Sequence, residues 1–222
     1  MIFQALQEGK YLNNCELDFA DVFSRIVQIE DLYSELTSLL DKVILETGLG
    51  CPKGCRSCCL TPAYNIEVSL LEFLPLSLHL WRYGLAERLL QRLEETGEED
   101  PCVLFERNSD LLSNGGCTFY EYRPMMCRLF GISAMIGKTG EIKPVVCKII
   151  KAYYPSSVQR FLQTTEDGSL VLPVFSHFRS RIEGIDPHLA ERVYPINMAL
   201  KRAIEFIGLR WNLCSLERNR PA

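Results

Sequence analysis

The sequence predicts a mainly α-helical fold with a small β-hairpin, in which a helical scaffold surrounds a cysteine-rich loop region. Three observations support this prediction. Apolar residues recur at helical spacing in several segments, two β-leaning runs flank one short turn, and the cysteines concentrate between the predicted helices. Eight of the ten cysteines fall between residues 51 and 147. With 222 residues, the chain is long enough to bury a core without disulfides.

The first predicted helix lies within residues 1–48 and carries an apolar stripe whose members alternate by three and four positions. The stripe contains Phe19, Val22, Ile26, Ile29, Tyr33, Leu36, Leu40 and Val43. Gly48 and Gly50 end the helix just before the first cysteines. We interpret the stripe as the face that packs on the chain's own domain, with self-association through this N-terminal helix as the alternative.

The remaining elements follow from local signals. Helices are predicted at 66–81, 85–96 and 156–161, and Asp186-Pro187 opens a further helix to about Phe206. A hairpin around Lys138-Thr139-Gly140 would bring Cys127 back toward Cys147. The chain is thus divided into the N-terminal amphipathic helix (1–48), a cysteine-rich region (49–155) and a C-terminal helical segment packing on the same domain (156–222).

Charge and hydropathy exclude several classes of partner. A net charge of −4 gives no reason to expect binding to nucleic acid. No apolar run is long enough for a membrane helix, so no membrane partner is predicted. The N-terminus lacks the pattern of a signal peptide, which predicts a cytoplasmic protein whose thiols stay reduced.

The cysteines form two groups whose density favours metal binding. The first group is the stretch CPKGCRSCC, in which Gly54 allows a tight backbone. A disulfide framework would need an oxidising compartment, and a nucleophilic cysteine would need a histidine partner that the sequence does not place beside it. Soft thiolates select zinc, copper(I) or iron–sulfur clusters. Cys15 and Cys214, far from both groups, are assigned to apolar packing.

The adjacent pair Cys58-Cys59 restricts the kind of metal centre. Side chains of consecutive residues diverge, so the two thiolates do not suit one simple zinc ion. Eight thiols allow one four-thiolate cluster with spare cysteines, or two four-thiolate sites. Cations that would stabilise the thiolates lie within or beside the two groups. They are Lys53, Arg56, Arg123, Arg128 and Lys148.

Together, CPKGCRSCC and the downstream CTFYEYRPMMCRLFG resemble the CxxCxxCC family of zinc- or iron-chelating domains, the YkgJ-like proteins. The resemblance covers about residues 51–150 and includes the motif residues Cys117, Tyr120, Glu121, Arg123, Pro124, Cys127 and Arg128. It implies that Arg123 and Arg128 lie beside a bound metal centre. A similar cysteine pattern occurs in flagellin lysine methylases with an iron–sulfur cluster. This analogy favours iron over zinc and transfers no activity.

The sequence therefore predicts a metal-binding protein that holds an iron–sulfur cluster of the 4Fe-4S type, with a redox or modification role left open. The predicted metal ligands are Cys51, Cys55, Cys58, Cys59, Cys102, Cys117, Cys127 and Cys147. The alternative is a zinc-binding structural or storage protein without catalytic activity. No catalytic residue is predicted, because no phosphate loop, metalloprotease motif or dinucleotide fingerprint is present.

Overall fold

The computed structural model describes residues 14–52, 54–97, 99–106 and 116–218, with side chains described from residue 19 to residue 213. The fold is mainly helical with two small antiparallel sheets, as the sequence predicts. The helices are α1 (Asn14–Thr47), α2 (Leu74–Arg82), α3 (Ala86–Glu95), α4 (Met125–Leu129), α5 (Lys148–Tyr153), α6 (Pro155–Glu166), α7 (Phe175–Ile185), α8 (Pro187–Ala190) and α9 (Ile196–Arg218). None of the helices in these described ranges is both long and apolar enough to cross a membrane.

The apolar stripe of α1 packs inside the chain itself. Seven of its eight members are less than 9% exposed, and Leu40 is partly buried between the two hydrophobic cores. Alternating steps of three and four residues place these side chains on one face of a helix, so one continuous surface is removed from water. Self-association through this helix stays a prediction.

The predicted hairpin is present as β2 (Ile132–Ile136) paired with β3 (Ile142–Val146). Gly140 adopts a φ of +88° in its turn, a conformation that favours glycine. A second sheet pairs β1 (Glu67–Ser69) with β4 (Val193–Pro195), so Val68 lies opposite Tyr194. This pairing ties the chain after the first cysteine group to the start of α9.

Two predicted helices are shorter than their sequence patterns indicate. The first is the helix predicted at 66–81, where residues 67–69 instead form the strand β1. Helix α2 begins only at Leu74, because the first turn of a helix is where Pro75 can be accommodated. Asp186 does cap a helix, accepting a hydrogen bond from the Leu189 backbone N–H at 3.1 Å. That helix is α8, which ends at Ala190, and β4 intervenes before α9.

The remaining helices also differ in extent from the prediction. Helix α6 extends to Glu166, well past the predicted end at Phe161. Helix α7 was not predicted. Its Phe178 and Ile182 are buried in the core, so packing against the other elements stabilises a segment with a weak sequence pattern.

The buried residues form two hydrophobic cores. The larger core joins most of α1 to α2, α3, α4, α7 and α9, and Trp81 of α2 donates a hydrogen bond to the Ile204 carbonyl of α9 at 2.8 Å. The smaller core joins the C-terminal end of α1 to the hairpin, α5 and α6, around Val43 and Phe161. Cys102, Cys117 and Cys127 pack against the larger core, and Cys147 packs against the smaller one.

Candidate metal centre

The first cysteine group lies in two consecutive tight turns. The Cys55 N–H donates to the Pro52 carbonyl at 3.0 Å, and the Cys59 N–H donates to the Arg56 carbonyl at 2.9 Å. Gly54 has a φ of +73°, which explains why a glycine interrupts the cysteines here. The backbone therefore folds back on itself, and four thiols occupy a short stretch of chain.

Backbone pairing brings Cys102 and Cys117 together. The Thr118 N–H donates to the Leu104 carbonyl at 2.9 Å, and the Glu106 N–H donates to the Gly116 carbonyl at 2.7 Å. These bonds join the segments on either side of residues 107–115, which lie outside the described residues. Two cysteines fifteen positions apart thus become neighbours in space.

Helix α4 carries Cys127 and is anchored by a buried carboxylate. Pro124 precedes the helix in an extended conformation. The Met125 N–H, at the first position of the helix, donates to Oε1 of Glu72 at 2.9 Å and lies 3.1 Å from the Tyr33 hydroxyl. Glu72 is 2% exposed and also accepts hydrogen bonds from the N–H and hydroxyl of Ser69. This network fixes the start of the helix relative to β1 and α1.

The hairpin places Cys147 beside the first cysteine group. The Cys147 N–H donates to the Gly131 carbonyl at 2.8 Å, which closes the hairpin at its base. A Cβ atom placed on Gly131 would lie 3.5 Å from Sγ of Cys51. Cys51 is exposed as a residue, but its sulfur lies against the backbone that holds Cys147.

Five of the eight thiols line one cavity of about 50 Å³. These five are Cys58, Cys59, Cys102, Cys117 and Cys127. The other walls of the cavity are mostly apolar and include Phe73, Phe130 and Ile196. The volume is several times the roughly 10–15 Å³ that one water molecule needs. The cavity is therefore a thiol-rich space with an apolar surround, as soft metal centres require.

The two cysteine groups meet at the adjacent pair. Sγ of Cys58 lies 4.0 Å from Sγ of Cys59. Burial, together with repulsion from neighbouring thiols that include Cys58, raises the pKa of both Cys51 and Cys127. All eight predicted ligands are free thiols.

The neighbouring thiols shift one another's acidity. Burial, reinforced by the nearby thiols, raises the pKa of Cys51 to about 11. Burial raises the pKa of Cys102 to about 12. The hydrogen bond with Cys59 lowers the pKa of Cys58, and the same hydrogen bond raises the pKa of Cys59. Several protonated, partly desolvated thiols packed together would lose protons to a soft cation, since the thiolate is the ligand.

Arg123 lines the same cavity as five of the thiols and places a positive charge beside them. Its positive charge contributes to the lowered pKa of Cys58, and it opposes the rise that burial causes in the pKa of Cys51, Cys117 and Cys127. The guanidinium stacks on the Tyr120 ring at 3.5 Å from the ring centroid and lies 3.4 Å from the Cys127 carbonyl, to which it donates. These contacts hold a positive charge where the thiolates would form.

Arg128 makes contacts of a different kind. Its Nε donates to the Arg123 carbonyl at 2.7 Å, and one terminal nitrogen donates to the Glu121 carbonyl. The guanidinium lies 4.5 Å from the centroid of the Tyr33 ring. Arg128 therefore braces the backbone that carries Arg123.

Lys53, which was predicted to stabilise the thiolates, lies outside the described residues. So do the side chains of Cys15 and Cys214, which were assigned to apolar packing. Among the described residues, no three or more histidine, cysteine, aspartate or glutamate side chains form a ready-made set around one metal ion. The thiols are assembled, but their sulfurs do not close on a single point.

Two residues that position the cysteines were not predicted from the sequence. Asn197 accepts a hydrogen bond from the Val103 N–H at 2.9 Å and donates to the Pro101 carbonyl at 3.3 Å, which fixes the backbone on both sides of Cys102. The other residue is Glu72, whose hydrogen bonds anchor α4. Its place inside the apolar run VSLLEFLPL is the signal that could have identified it as buried.

The comparisons with known proteins agree with this picture. Residues 50–153 match the model of the CxxCxxCC family, described as "Putative zinc- or iron-chelating domain". The matched range begins one residue before Cys51 and ends at Tyr153, so it includes all eight cysteines and the hairpin. Neither the search of curated proteins nor the search of solved structures gave a match.

Proposed function

We propose that the cysteine thiolates of residues 50–153, which match the model of the CxxCxxCC domain, hold an iron–sulfur cluster of the 4Fe-4S type. The observation that carries the proposal is that five of eight free thiols line one mostly apolar cavity beside the larger hydrophobic core. Under this proposal the ligands come from Cys51, Cys55, Cys58, Cys59, Cys102, Cys117, Cys127 and Cys147. The cluster would supply electron transfer or substrate activation when bound.

One feature favours a cluster over a single zinc ion. A structural zinc ion takes four ligands in a tetrahedron around one point, and among the described residues no three histidine, cysteine, aspartate or glutamate side chains converge on one metal position. A polynuclear cluster spreads its four thiolate ligands over several metal atoms. Zinc binding with a structural or storage role is the second candidate, because the same thiolates suit zinc and the matched domain is described for either metal.

In this proposal Arg123 and the apolar cavity walls tune the centre. The guanidinium favours the thiolate form of the nearby cysteines, so it would strengthen metal binding and raise the reduction potential. Phe73, Phe130 and Ile196 limit the access of water to the sulfurs. Arg128 contributes by holding the backbone of Arg123.

The test is anaerobic purification followed by an absorption spectrum and by iron, sulfide and zinc analysis. The expected result is brown protein with a broad visible absorption and equal amounts of iron and acid-labile sulfide. Colourless protein with stoichiometric zinc and no sulfide would establish the zinc alternative. Protein that binds neither metal after anaerobic reconstitution with iron, sulfide or zinc would overturn both candidates.

A further inference from the structure

We propose that the metal centre extends beyond the matched domain and is completed by residues 193–197, which we call the closing segment. Within this segment Asn197 is a positioning residue for Cys102. It holds the backbone on both sides of this cysteine, so that the thiol stays at the cavity. This inference rests on the proposed function and gives a metal-holding role to a part of the chain outside residues 50–153.

The closing segment joins the cysteine region through its backbone. It contains β4, which pairs with β1, the strand that follows the first cysteine group. The Ile196 N–H continues this pairing by donating to the Ile66 carbonyl at 2.8 Å. The Ile196 side chain is 2% exposed and lines the same cavity as five of the thiols. The segment is therefore fixed to the matched domain and also borders the cavity.

The Asn197 side chain reaches the backbone around Cys102. Its Oδ1 accepts a hydrogen bond from the Val103 N–H at 2.9 Å, and its Nδ2 donates to the Pro101 carbonyl at 3.3 Å. One amide thus holds both the residue before Cys102 and the residue after it. Asn197 lies in the first turn of α9, where Leu200 is fully buried, so the helix holds the amide in place.

The N-terminal side of Cys102 depends on Asn197 more than the C-terminal side does. Arg92 of α3 donates to the Val103 carbonyl at 3.0 Å, which gives the C-terminal side a second anchor. Pro101, on the N-terminal side, has no N–H, so its carbonyl is the one hydrogen-bonding group of its backbone. That carbonyl accepts from Asn197.

A held backbone matters for Cys102 because this thiol lines the cavity and packs against the larger core. A ligand that already stands in its binding position loses less conformational freedom when the metal binds. Groups that orient a metal ligand are worth about 10–100-fold in metal affinity. Asn197 supplies such support from a helix outside the matched domain.

The orientation of the Asn197 amide provides a precise probe. Its oxygen accepts and its nitrogen donates, so only one orientation satisfies both partners. Aspartate has the same shape and can still accept from the Val103 N–H. Its second oxygen would face the Pro101 carbonyl, and neither of these groups can donate. Asn197→Asp therefore removes the hydrogen bond before Cys102 and keeps the one after it.

The first measurement compares Asn197→Ala and Asn197→Asp with the wild type in the full chain. Each protein is reconstituted anaerobically with iron and sulfide, or with zinc if no cluster forms. We expect both variants to lose metal to a chromophoric chelator at least about tenfold faster than the wild type, since a ligand loses its support. Asn212→Ala is the matched control, because Asn212 is exposed on the same helix, and it should lose metal at the wild-type rate.

The second measurement uses metal-free protein and separates positioning from general stability. Alkylation by iodoacetamide, mapped by mass spectrometry, gives a rate for each thiol. Asn197→Ala should accelerate the alkylation of Cys102 about tenfold, because its two flanking hydrogen bonds are lost. Cys127, which α4 carries, should change by less than about twofold, because the opening is local. Equal acceleration of both thiols would show a general loosening and would overturn the positioning role.

Failure of this inference differs in outcome from failure of the proposed function. Wild-type protein that holds neither a cluster nor zinc overturns the proposed function, and with it the metal-holding role of Asn197. Wild-type protein that holds metal, alongside Asn197 variants that retain metal equally well, overturns this inference alone. So does an Asn212→Ala protein that loses metal as fast as the Asn197 variants. Circular dichroism of each protein establishes that the compared variants are folded.

Discussion

At the scale of single residues, Glu72 links β1, α1 and α4 through buried hydrogen bonds. Its Oε2 accepts hydrogen bonds from the Ser69 N–H and hydroxyl, and its Oε1 accepts from the Tyr33 hydroxyl and the Met125 N–H. Each carboxylate oxygen thus faces a backbone N–H. If glutamine replaced Glu72, its side-chain NH₂ group would face one of these N–H donors in either orientation of the amide.

We expect Glu72→Gln to lower the free energy of unfolding by about 2–4 kcal/mol, since a buried polar group would lose its partners. Urea denaturation followed by circular dichroism measures this change. Glu67→Gln is the matched control, because Glu67 is exposed in the neighbouring strand, and it should change stability by less than about 0.5 kcal/mol. Equal effects of the two substitutions would contradict the structural role of Glu72.

A second residue-scale prediction concerns Arg123. Arg123→Gln should weaken metal binding by about 10–100-fold, because the cation that favours the thiolates is removed. Arg123→Lys should fall between the glutamine variant and the wild type, since lysine keeps the charge but loses the planar contact with Tyr120. Competition with a chromophoric chelator measures the affinity.

The control for this experiment is Arg88→Gln on the exposed face of α3, which removes the same charge at a distance from the cysteines. If Arg88→Gln weakens binding as much as Arg123→Gln does, the effect is one of net charge. The local role of Arg123 would then be wrong.

At the scale of elements, the β2–β3 hairpin positions Cys147. Its turn contains Gly140 at a φ of +88°, with no atom within 4 Å of the place where a Cβ would stand. Backbone strain alone therefore decides the effect of a substitution. Gly140→Ala should destabilise the protein by about 1–2 kcal/mol.

Gly184 in α7 provides the opposite case. An added Cβ at this position would also meet no atom within 4 Å, and the residue lies within a right-handed helix. Gly184→Ala should be neutral or stabilise by up to about 1 kcal/mol. Thermal melts of both variants give the signs, and a destabilising Gly184→Ala together with a neutral Gly140→Ala would contradict this account.

Local chemistry explains which elements were predictable. The hairpin was predicted because its turn residues and β-branched strands lie within one short segment. The stripe of α1 was predicted because its spacing extends over many residues. Strands β1 and β4 have three residues each, and their pairing depends on partners from residue 67 and residue 195. No local pattern contains that information.

The same distinction applies to the candidate centre. Cysteine density and motif spacing identify eight thiols as candidate ligands, and this stays a prediction. The hairpin was expected to bring Cys127 back toward Cys147; the structure places Cys51 and Cys147 on either side of Gly131. The division of the cysteines between two cores could not be predicted, because it depends on packing of residues far apart in the chain. Asn197 and Glu72 position the cysteines through hydrogen bonds across the fold, and such contacts leave no spacing signal.

At the scale of the whole molecule, the cysteines join two cores that also share α1. Leu40 packs against both cores, and cysteines pack against each. A metal centre bound here would therefore act as a cross-link between the cores. Its removal should affect the smaller core most, since that core has fewer buried residues to sustain it.

Removal of the metal by a chelator should lower the melting temperature by roughly 10 °C, for a ligand present at about a thousand times its dissociation constant. Hydrogen exchange should increase first in β2 and β3. The control is the same chelator saturated with zinc beforehand, which cannot extract metal. An unchanged melting temperature after complete removal would contradict the cross-linking role.

The wall of the cavity has a consequence for the order in which the protein is made. All eight predicted ligands precede residue 148, whereas Ile196, one of the residues that line the cavity, lies at the start of α9. The partner of β1 also comes from β4, just before that helix. During synthesis, all eight predicted ligands therefore leave the ribosome before the start of α9, which supplies part of the cavity wall. Synthesis itself thus provides an interval in which a cofactor can enter before the C-terminal helix closes the cavity.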